Sequence, residues 1–288
     1  MGGKRQNLWI SLGFPQSAWG RWPPTVAADG GNRPGVRSLA VRQLLPHPVD
    51  DVDPVALYAT DERPVPADRP WVMANMVASA DGATAVDGRS GALGGPADRA
   101  AFTAIRAVAD VILVAAGTAR TEGYGPPRTP PALQGQRRAR GQTPKPRIAV
   151  VTRRVDLDLG AELFGDPDSR CLVVLPEDTA TERVAAVAEV ADVVPAGRGG
   201  VDLKACLAHL RTAGVAVVLA EGGPSLLGQL VAADLVDELC LTLAPALVAG
   251  ESDRIVHGAD LPDGLAPLHL DRVLEQDGTL LLRYRRVR

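Results

Sequence analysis

Two junctions put polar and glycine residues directly after apolar runs, where a folded sheet would present them to a ligand. One is Ala115-Ala-Gly-Thr-Ala-Arg120 and the other is Leu219-Ala-Glu-Gly-Gly-Pro-Ser225. Glycine lets a ligand approach the backbone, and the free N–H groups of a following helix favour phosphate. Small residues are also what a chain needs simply to turn from strand into helix, so each junction has a purely architectural reading as well. Pro224 suits a first helical position, because its missing N–H would have no helical partner. Glu221 stands between an apolar strand and two glycines. A carboxylate there is either paired structurally or presented into a cleft. Thr152-Arg153-Arg154 follows the apolar Ile148–Val151 run. A hydroxyl and a guanidinium at that strand end suit a ribose 2′-phosphate, and equally suit a solvated turn.

The remaining polar residues exclude more than they suggest. Ser225 lacks a GxSxG elbow, which argues against a hydrolase triad. Cys171, Cys206 and Cys240 lie in or beside apolar segments and read as core, and His47, His209, His257 and His269 have no spaced partner. With no CxxC and no HxxxH, neither a metal site nor a disulfide framework is expected. A net charge of −3 disfavours nucleic acid as a partner. No apolar run approaches the roughly 20 residues of a membrane span. The basic and apolar start, Met1 to Phe14, is broken by Pro15 and is not expected to be a signal, which points to the cytoplasm.

The elements that must position these groups follow from periodicity. Residues 1–36, rich in glycine and carrying three of the four tryptophans, read as a disordered extension, and 37–288 as one domain of ordinary upper size. Strands are expected at Ser38–Leu45, Trp71–Ser79, Val111–Ala115, Ile148–Val151, Cys171–Leu175, Asp192–Val194, Val215–Ala220 and Glu238–Ala244. A final pair, Leu268–Glu275 and Thr279–Tyr284, is joined by the hairpin signal Asp277-Gly278. Helices are expected after Asp53, from Gly95-Pro-Ala-Asp98 to before Asp110, over Thr179–Glu189, over Val201–Thr212 and from Pro224. The proline- and arginine-rich stretch Gly123–Lys145 reads as a loop. This alternation predicts an α/β fold with a mixed, mostly parallel sheet and a C-terminal antiparallel hairpin.

Four segments, in order, resemble the pyrimidine reductase family of riboflavin biosynthesis, the C-terminal reductase domain of RibD, which has a three-layer dihydrofolate-reductase-like fold. They are Asn75-Met-Val-Ala-Ser-Ala-Asp-Gly82; Val114-Ala-Ala-Gly-Thr-Ala-Arg-Thr-Glu122 with Pro126 and Arg128; Glu221-Gly-Gly-Pro-Ser-Leu226; and Asp237-Glu-Leu-Cys-Leu-Thr-Leu-Ala-Pro245. The resemblance implies a homodimeric NADPH-dependent oxidoreductase that reduces the ribose of a phosphoribosylaminopyrimidine to a ribityl chain. It implies cofactor contacts at Ala116, Gly117, Thr118, Gly222, Gly223, Pro224, Ser225 and Leu226, beside the 2′-phosphate candidates Thr152 and Arg153. It places Asn75, Ser79, Asp81 and Arg128 around the substrate, with Glu122 or Glu221 handling the proton.

Two departures stand out. The lysine usual after the Asp-Gly pair is Ala83, and the aspartate of the second motif is Glu122, with Gly123-Tyr-Gly125 inserted before Pro126. If that lysine serves a substrate phosphate, this chain handles the phosphate differently or prefers an unphosphorylated heterocycle. The alternatives are therefore a reductase of dihydrofolate or another pterin on the same fold, and a catalytically silent NADPH-binding paralogue. The deaminase signatures H-x-E and P-C-x-x-C occur nowhere, so no zinc deaminase half is expected.

Overall fold

β-branched and aliphatic runs supply the inner strands of a ten-stranded sheet. The computed structural model describes residues 40–262 and 264–288, and the extension expected over residues 1–36 lies outside them. The strands are β1 (Arg42–Leu45), β2 (Trp71–Ser79), β3 (Val111–Ala115), β4 (Arg147–Val151), β5 (Leu172–Leu175), β6 (Asp192–Pro195), β7 (Val217–Ala220), β8 (Glu238–Ala244), β9 (Leu268–Gln276) and β10 (Thr279–Arg286). Their order is β1-β9-β10-β8-β2-β7-β3-β4-β5-β6. From β6 through β8 all neighbours are parallel, while β10, β9 and β1 add antiparallel pairs. Asp277 and Gly278 both take positive φ, 51° and 80°, as a tight hairpin turn requires. The mixed, mostly parallel sheet with a closing hairpin matches the sequence reading.

Alternation along the inner strands divides the core between two faces. Met73, Ile112 and Val114 point to one, with Ala101, Ile105 and Val108 of α2 (Pro96–Val108), Tyr58 of α1 (Pro54–Thr60) and Val187 of α5 (Thr181–Val190). Val72, Ala74 and Leu113 point to the other, with Cys206, Leu207 and Leu210 of α6 (Leu203–Thr212) and Leu227 and Leu230 of α7 (Pro224–Ala232). Helices on both faces give three layers. All three cysteines are buried, as expected of core residues, and all four histidines are exposed.

Two elements differ from the sequence reading. Just before the expected Gly123–Lys145 loop the chain forms the short helix α3 (Ala116–Glu122), capped at Gly123, and inside that loop it forms α4 (Pro131–Ala139). α4 buries Leu133 and, fully, Arg137, so its inward face is half cationic and shows no apolar period. The Arg137 guanidinium donates to the carbonyls of Ala107 (3.1 Å), Ala109 (2.6 Å) and Thr143 (2.8 Å), tying the end of α2 to α4. The strand expected from Val215 begins at Val217, because the Val215 amide closes α6 by donating to Leu210 O, and the Asp110 carboxylate takes the amides of Ala216 and Val217, each at 2.9 Å.

Replacing Arg137 with leucine keeps the bulk but strips donors from buried carbonyls. Urea unfolding is expected to show a loss of about 2–4 kcal/mol.

Candidate functional site

The chain leaves β6, crosses back over α6 and inserts β7 between β2 and β3. In an open α/β sheet such a reversal opens a crevice at the carboxyl ends of the strands, where ligands bind. Register brings those ends together. Ala220 pairs with Ala74 on one side and Leu113 on the other, so Asn75, Glu221 and Val114 follow as neighbours. The backbone continues the contact past the strands, with Glu221 N donating to Leu113 O (3.0 Å) and Ala115 N to Gly222 O (2.9 Å). A cleft of about 1050 Å³ opens here.

Its floor is made by the two glycine junctions. Gly117 and Thr118 start α3, and Gly223, Pro224, Ser225 and Leu226 start α7; all six line the cleft. Neither helix has a side-chain cap, which leaves amide donors free at the start of the nine-residue α7. A Cβ on Gly223 would sit 2.5 Å from the Thr118 hydroxyl oxygen, so glycine is required for the two junctions to approach, whereas Gly117 faces open space. Glycine backbone, a free helix start and the hydroxyls of Thr118 and Ser225 make a surface that fits the phosphates and sugars of a dinucleotide. Ala116 and Gly222 flank this surface without lining it.

Asn75 also lines the cleft, half-buried, and its carboxamide has no hydrogen-bond partner among the described residues. Glu122 faces the same space and accepts one hydrogen bond, from the Ser90 amide at 2.9 Å. Glu221 is bound on both oxygens. Arg106 Nε donates to Oε1 (2.7 Å), Arg106 Nη2 to Oε2 (2.6 Å), and the Tyr124 hydroxyl to Oε2 (2.7 Å). Burial opposes the Arg106 charge, yet Glu221 and Tyr124 together raise its pKa above the usual value. Burial, and then the Glu221 charge, push the Tyr124 phenol well above its ordinary range, so it stays a donor. Arg106 and Tyr124 were not anticipated from sequence. Arg106 reads as a polar residue in the last turn of α2, and Tyr124 lies in the inserted Gly-Tyr-Gly.

Other sequence candidates sit around the cleft instead of on its lining. Ser79 donates to Asp81 Oδ1 at 2.5 Å and accepts from the Ala83 amide at 2.9 Å. Asp81 accepts from the amides of Val248 (3.2 Å) and Ala249 (2.8 Å), holding a loop whose residues 248–253 line the cleft. Thr84 secures the same loop by donating to Asp253 O at 3.0 Å. Arg128 is exposed and lines a separate hollow of about 510 Å³ with Thr103, Lys145 and Glu162. Thr152 is buried at the end of β4 and accepts from the Val155 amide at 3.0 Å, while Arg153 next to it is exposed; neither lines the cleft.

Fold and cleft together define a three-layer α/β ligand-binding domain with its site at a strand-order reversal. Residues 70–279 match the family described as RibD C-terminal domain, and the chain belongs to that family. It is 30% identical over 189 residues, 65% of this chain and 86% of the relative, to a 2,5-diamino-6-ribosylamino-4(3H)-pyrimidinone 5′-phosphate reductase of Archaeoglobus fulgidus. It is 26% identical over 219 residues, 75% of this chain and 98% of the relative, to a protein of the same name in Methanothermobacter thermautotrophicus. In structure it resembles a pyrimidine reductase-like protein of Corynebacterium diphtheriae, with a TM-score of 0.73, 24% identity, and coverage of 82% of this chain and all of that one. The fold is also that of Acinetobacter baumannii RibD, with a TM-score of 0.62, 20% identity, and coverage of 77% of this chain and 59% of that one.

The hydrogen bond from Ser79, followed by the Ala249 and Val248 amides, lowers the Asp81 pKa to about 2. A carboxylate with a depressed folded-state pKa stabilises the fold fully above the unfolded value near 3.8, and that contribution is lost as pH falls toward 2. Protection of the Val248 and Ala249 amides against hydrogen exchange, relative to the free-chain rate at the same pH, is therefore expected to fall below about pH 4. Asp81→Asn should show the faster exchange already at neutral pH.

Proposed function

We propose that residues 37–288 form a single NADPH-dependent reductase domain that transfers hydride to a phosphoribosylaminopyrimidine of the 5-amino-6-(5-phosphoribosylamino)uracil type. The observation that carries this reading is the meeting of Asn75, Glu122 and Glu221 beside the two glycine junctions, in a chain whose relatives are named as pyrimidinone phosphate reductases. Gly117, Thr118, Gly223 and Ser225 would hold NADPH, with Leu226 and Pro224 beneath it and Thr152 and Arg153 toward its 2′-phosphate. NADPH, when bound, supplies the hydride. The protein's own work is to hold the acceptor carbon against the donor and to deliver a proton to the oxygen or nitrogen left with negative charge.

Asn75, with an unpartnered carboxamide in the middle of β2 just past its last pairing with β7, is suited to orient the heterocycle. Glu122 is the proton-handling group in this reading, because one amide bond leaves its other oxygen available, whereas Glu221 is occupied on both. Ser79 and Asp81 act by holding the 248–253 loop. A homodimer in the cytoplasm belongs to the same reading.

A second reading concerns the substrate phosphate. Ala83 is buried, and among the described residues the cleft is lined by the carboxylates of Asp87, Asp98, Glu122, Glu221, Glu251 and Asp253 with no lysine or arginine. That lining favours an unphosphorylated heterocycle, a pterin among them, over a substrate bearing about −2 charge.

The test is NADPH oxidation by the purified protein with the phosphorylated pyrimidine, its dephosphorylated form and dihydrofolate. Turnover fastest on the first supports the leading reading, and turnover fastest on either of the others supports the second. NADPH binding without turnover on any of them points to a silent paralogue. Glu122→Gln is expected to lower kcat about a hundredfold with NADPH affinity little changed. Thermal stabilisation by NADPH should exceed that by NADH, and equal shifts would remove Thr152 and Arg153 from the 2′-phosphate site.

A further inference from the structure

We infer that Asp98 reads the heterocycle, its carboxylate accepting the paired N–H groups on one edge of a 2-amino-4-oxopyrimidine ring. The inference rests on the reductase reading above, and it favours a 2-amino-4-oxo ring, as in a pterin or a diaminopyrimidinone, over a uracil. Six carboxylates line the cleft, and their partners divide them. Glu221 is matched by Arg106, and Glu122 takes the Ser90 amide. Asp87, Glu251 and Asp253 are exposed on loops, where water solvates them. Asp98 differs from all of these. It is half-buried in the first turn of α2, and its carboxylate has one hydrogen bond and no cationic partner among the described residues. An acid in a first turn also suits the helix dipole, but this one reaches across to the sheet. The Thr242 hydroxyl, on β8 and 2% exposed, donates to its Oδ1 at 2.7 Å. The other oxygen, Oδ2, lies where a Cβ on Gly94 would come within 2.7 Å, so glycine there leaves it uncovered.

The surroundings of Asp98 suit a flat ring. Thr242 pairs in register with Val77, and Cys240 with Asn75. Asn75 and Val77 alternate with Met73, which packs with Cys240 in the core beneath α2, so both turn toward that helix. Phe102 stands one turn along α2 from Asp98, and Asn75, Val77, Asp98 and Phe102 all line the cleft. This corner offers an aromatic and an aliphatic wall, one carboxylate and the free carboxamide of Asn75. An ionised carboxylate only accepts hydrogen bonds, and its two oxygens match two parallel N–H groups. A 2-amino-4-oxopyrimidine ring presents that pair, the exocyclic amine and the adjacent ring N–H. In a uracil the same edge is one N–H between two carbonyl oxygens, one of which would face the anion. A site built to accept from two N–H groups rejects the ring that lacks one of them.

The test uses two ligands that differ only at position 2 of the ring, 2,5-diamino-6-ribosylamino-4(3H)-pyrimidinone 5′-phosphate and 5-amino-6-(5-phosphoribosylamino)uracil, with dihydrofolate as a third. Dissociation constants are measured by calorimetry on the full chain with NADP+ present, and NADPH oxidation is followed alongside. The wild-type protein is expected to bind its preferred 2-amino compound about thirtyfold more tightly than the uracil. A carboxamide offers one acceptor and one donor, so Asp98→Asn should weaken the 2-amino compound about thirtyfold and tighten the uracil about threefold, with NADPH affinity unchanged. Thr242→Val, which removes the hydroxyl that orients the carboxylate, should narrow the preference about threefold, and its ratio decides should Asp98→Asn fail to fold. Tighter binding of either the pyrimidinone or dihydrofolate supports the inference and says which source the ring comes from. A wild-type preference for the uracil, or a preference that Asp98→Asn leaves unchanged, overturns the inference alone. The expected preference without NADPH oxidation supports the inference and removes the reductase reading, and a wild-type protein that binds none of the three overturns both.

Discussion

The site depends on one pairing constraint, the insertion of β7 between β2 and β3. Both of its neighbours are parallel to it, and β7 stops beside Ala74 and Leu113 while they continue, so the residues after Ala220 share a single crevice with Asn75 and the end of β3. The Asp110 carboxylate helps impose this, because it accepts the amides of Ala216 and Val217 and sets where β7 begins. A slip of one residue would exchange the faces of β7, turning Leu219 and Val218 to the wrong cores and moving Glu221 away from Arg106. The apolar packing on both sheet faces therefore also fixes the position of the polar group at the strand end.

Electrostatics reinforce the same frame from the antiparallel side. Glu238, at the start of β8, is fully buried, yet its carboxyl is held below the usual range: burial opposes ionisation, and Arg63 and Arg283 outweigh it. Arg283 Nε donates to it at 2.9 Å and Trp71 Nε1 at 3.2 Å, linking β10, β8 and β2. Asp237 accepts from Arg69 and Arg288 and from the Val72 amide, tying the chain's end to the same strand. Removing one partner of such a group would leave a buried charge uncompensated. The Asp-Glu pair of the fourth sequence motif thus belongs to the framework of the cleft and not to its lining.

Most of the fold was legible because it rests on local patterns. Continuous apolar runs marked β3, β5 and β7, the 3.6-residue period marked α6, and Asp277-Gly278 marked the final hairpin. α4 was not legible, since the residue it buries deepest is an arginine whose Nη1 donates to carbonyls some thirty residues away. Of the site, the glycine junctions and Glu221 could be located from strand ends and glycines, which are local features, whereas Asn75 and Glu122 were located only through the family resemblance. Arg106 could not, as its spacing on α2 resembles that of any solvated helix residue until Glu221 is brought beside it.

By itself, then, the amino-acid sequence determined the elements, the glycine-bearing turns and the set of polar residues from which a site could be made, since propensity, periodicity and turn chemistry act over a few neighbouring residues. Only the tertiary structure decided how those residues divide. Asn75 and Glu122 keep free capacity toward the cleft, Glu221 is bound on both oxygens, Asp81 and Ser79 anchor a loop, and Arg128 faces a different hollow. That division depends on hydrogen-bond partners more than a hundred positions apart in the chain, such as Arg106 and Glu221, which meet only once β7 has taken its place between β2 and β3.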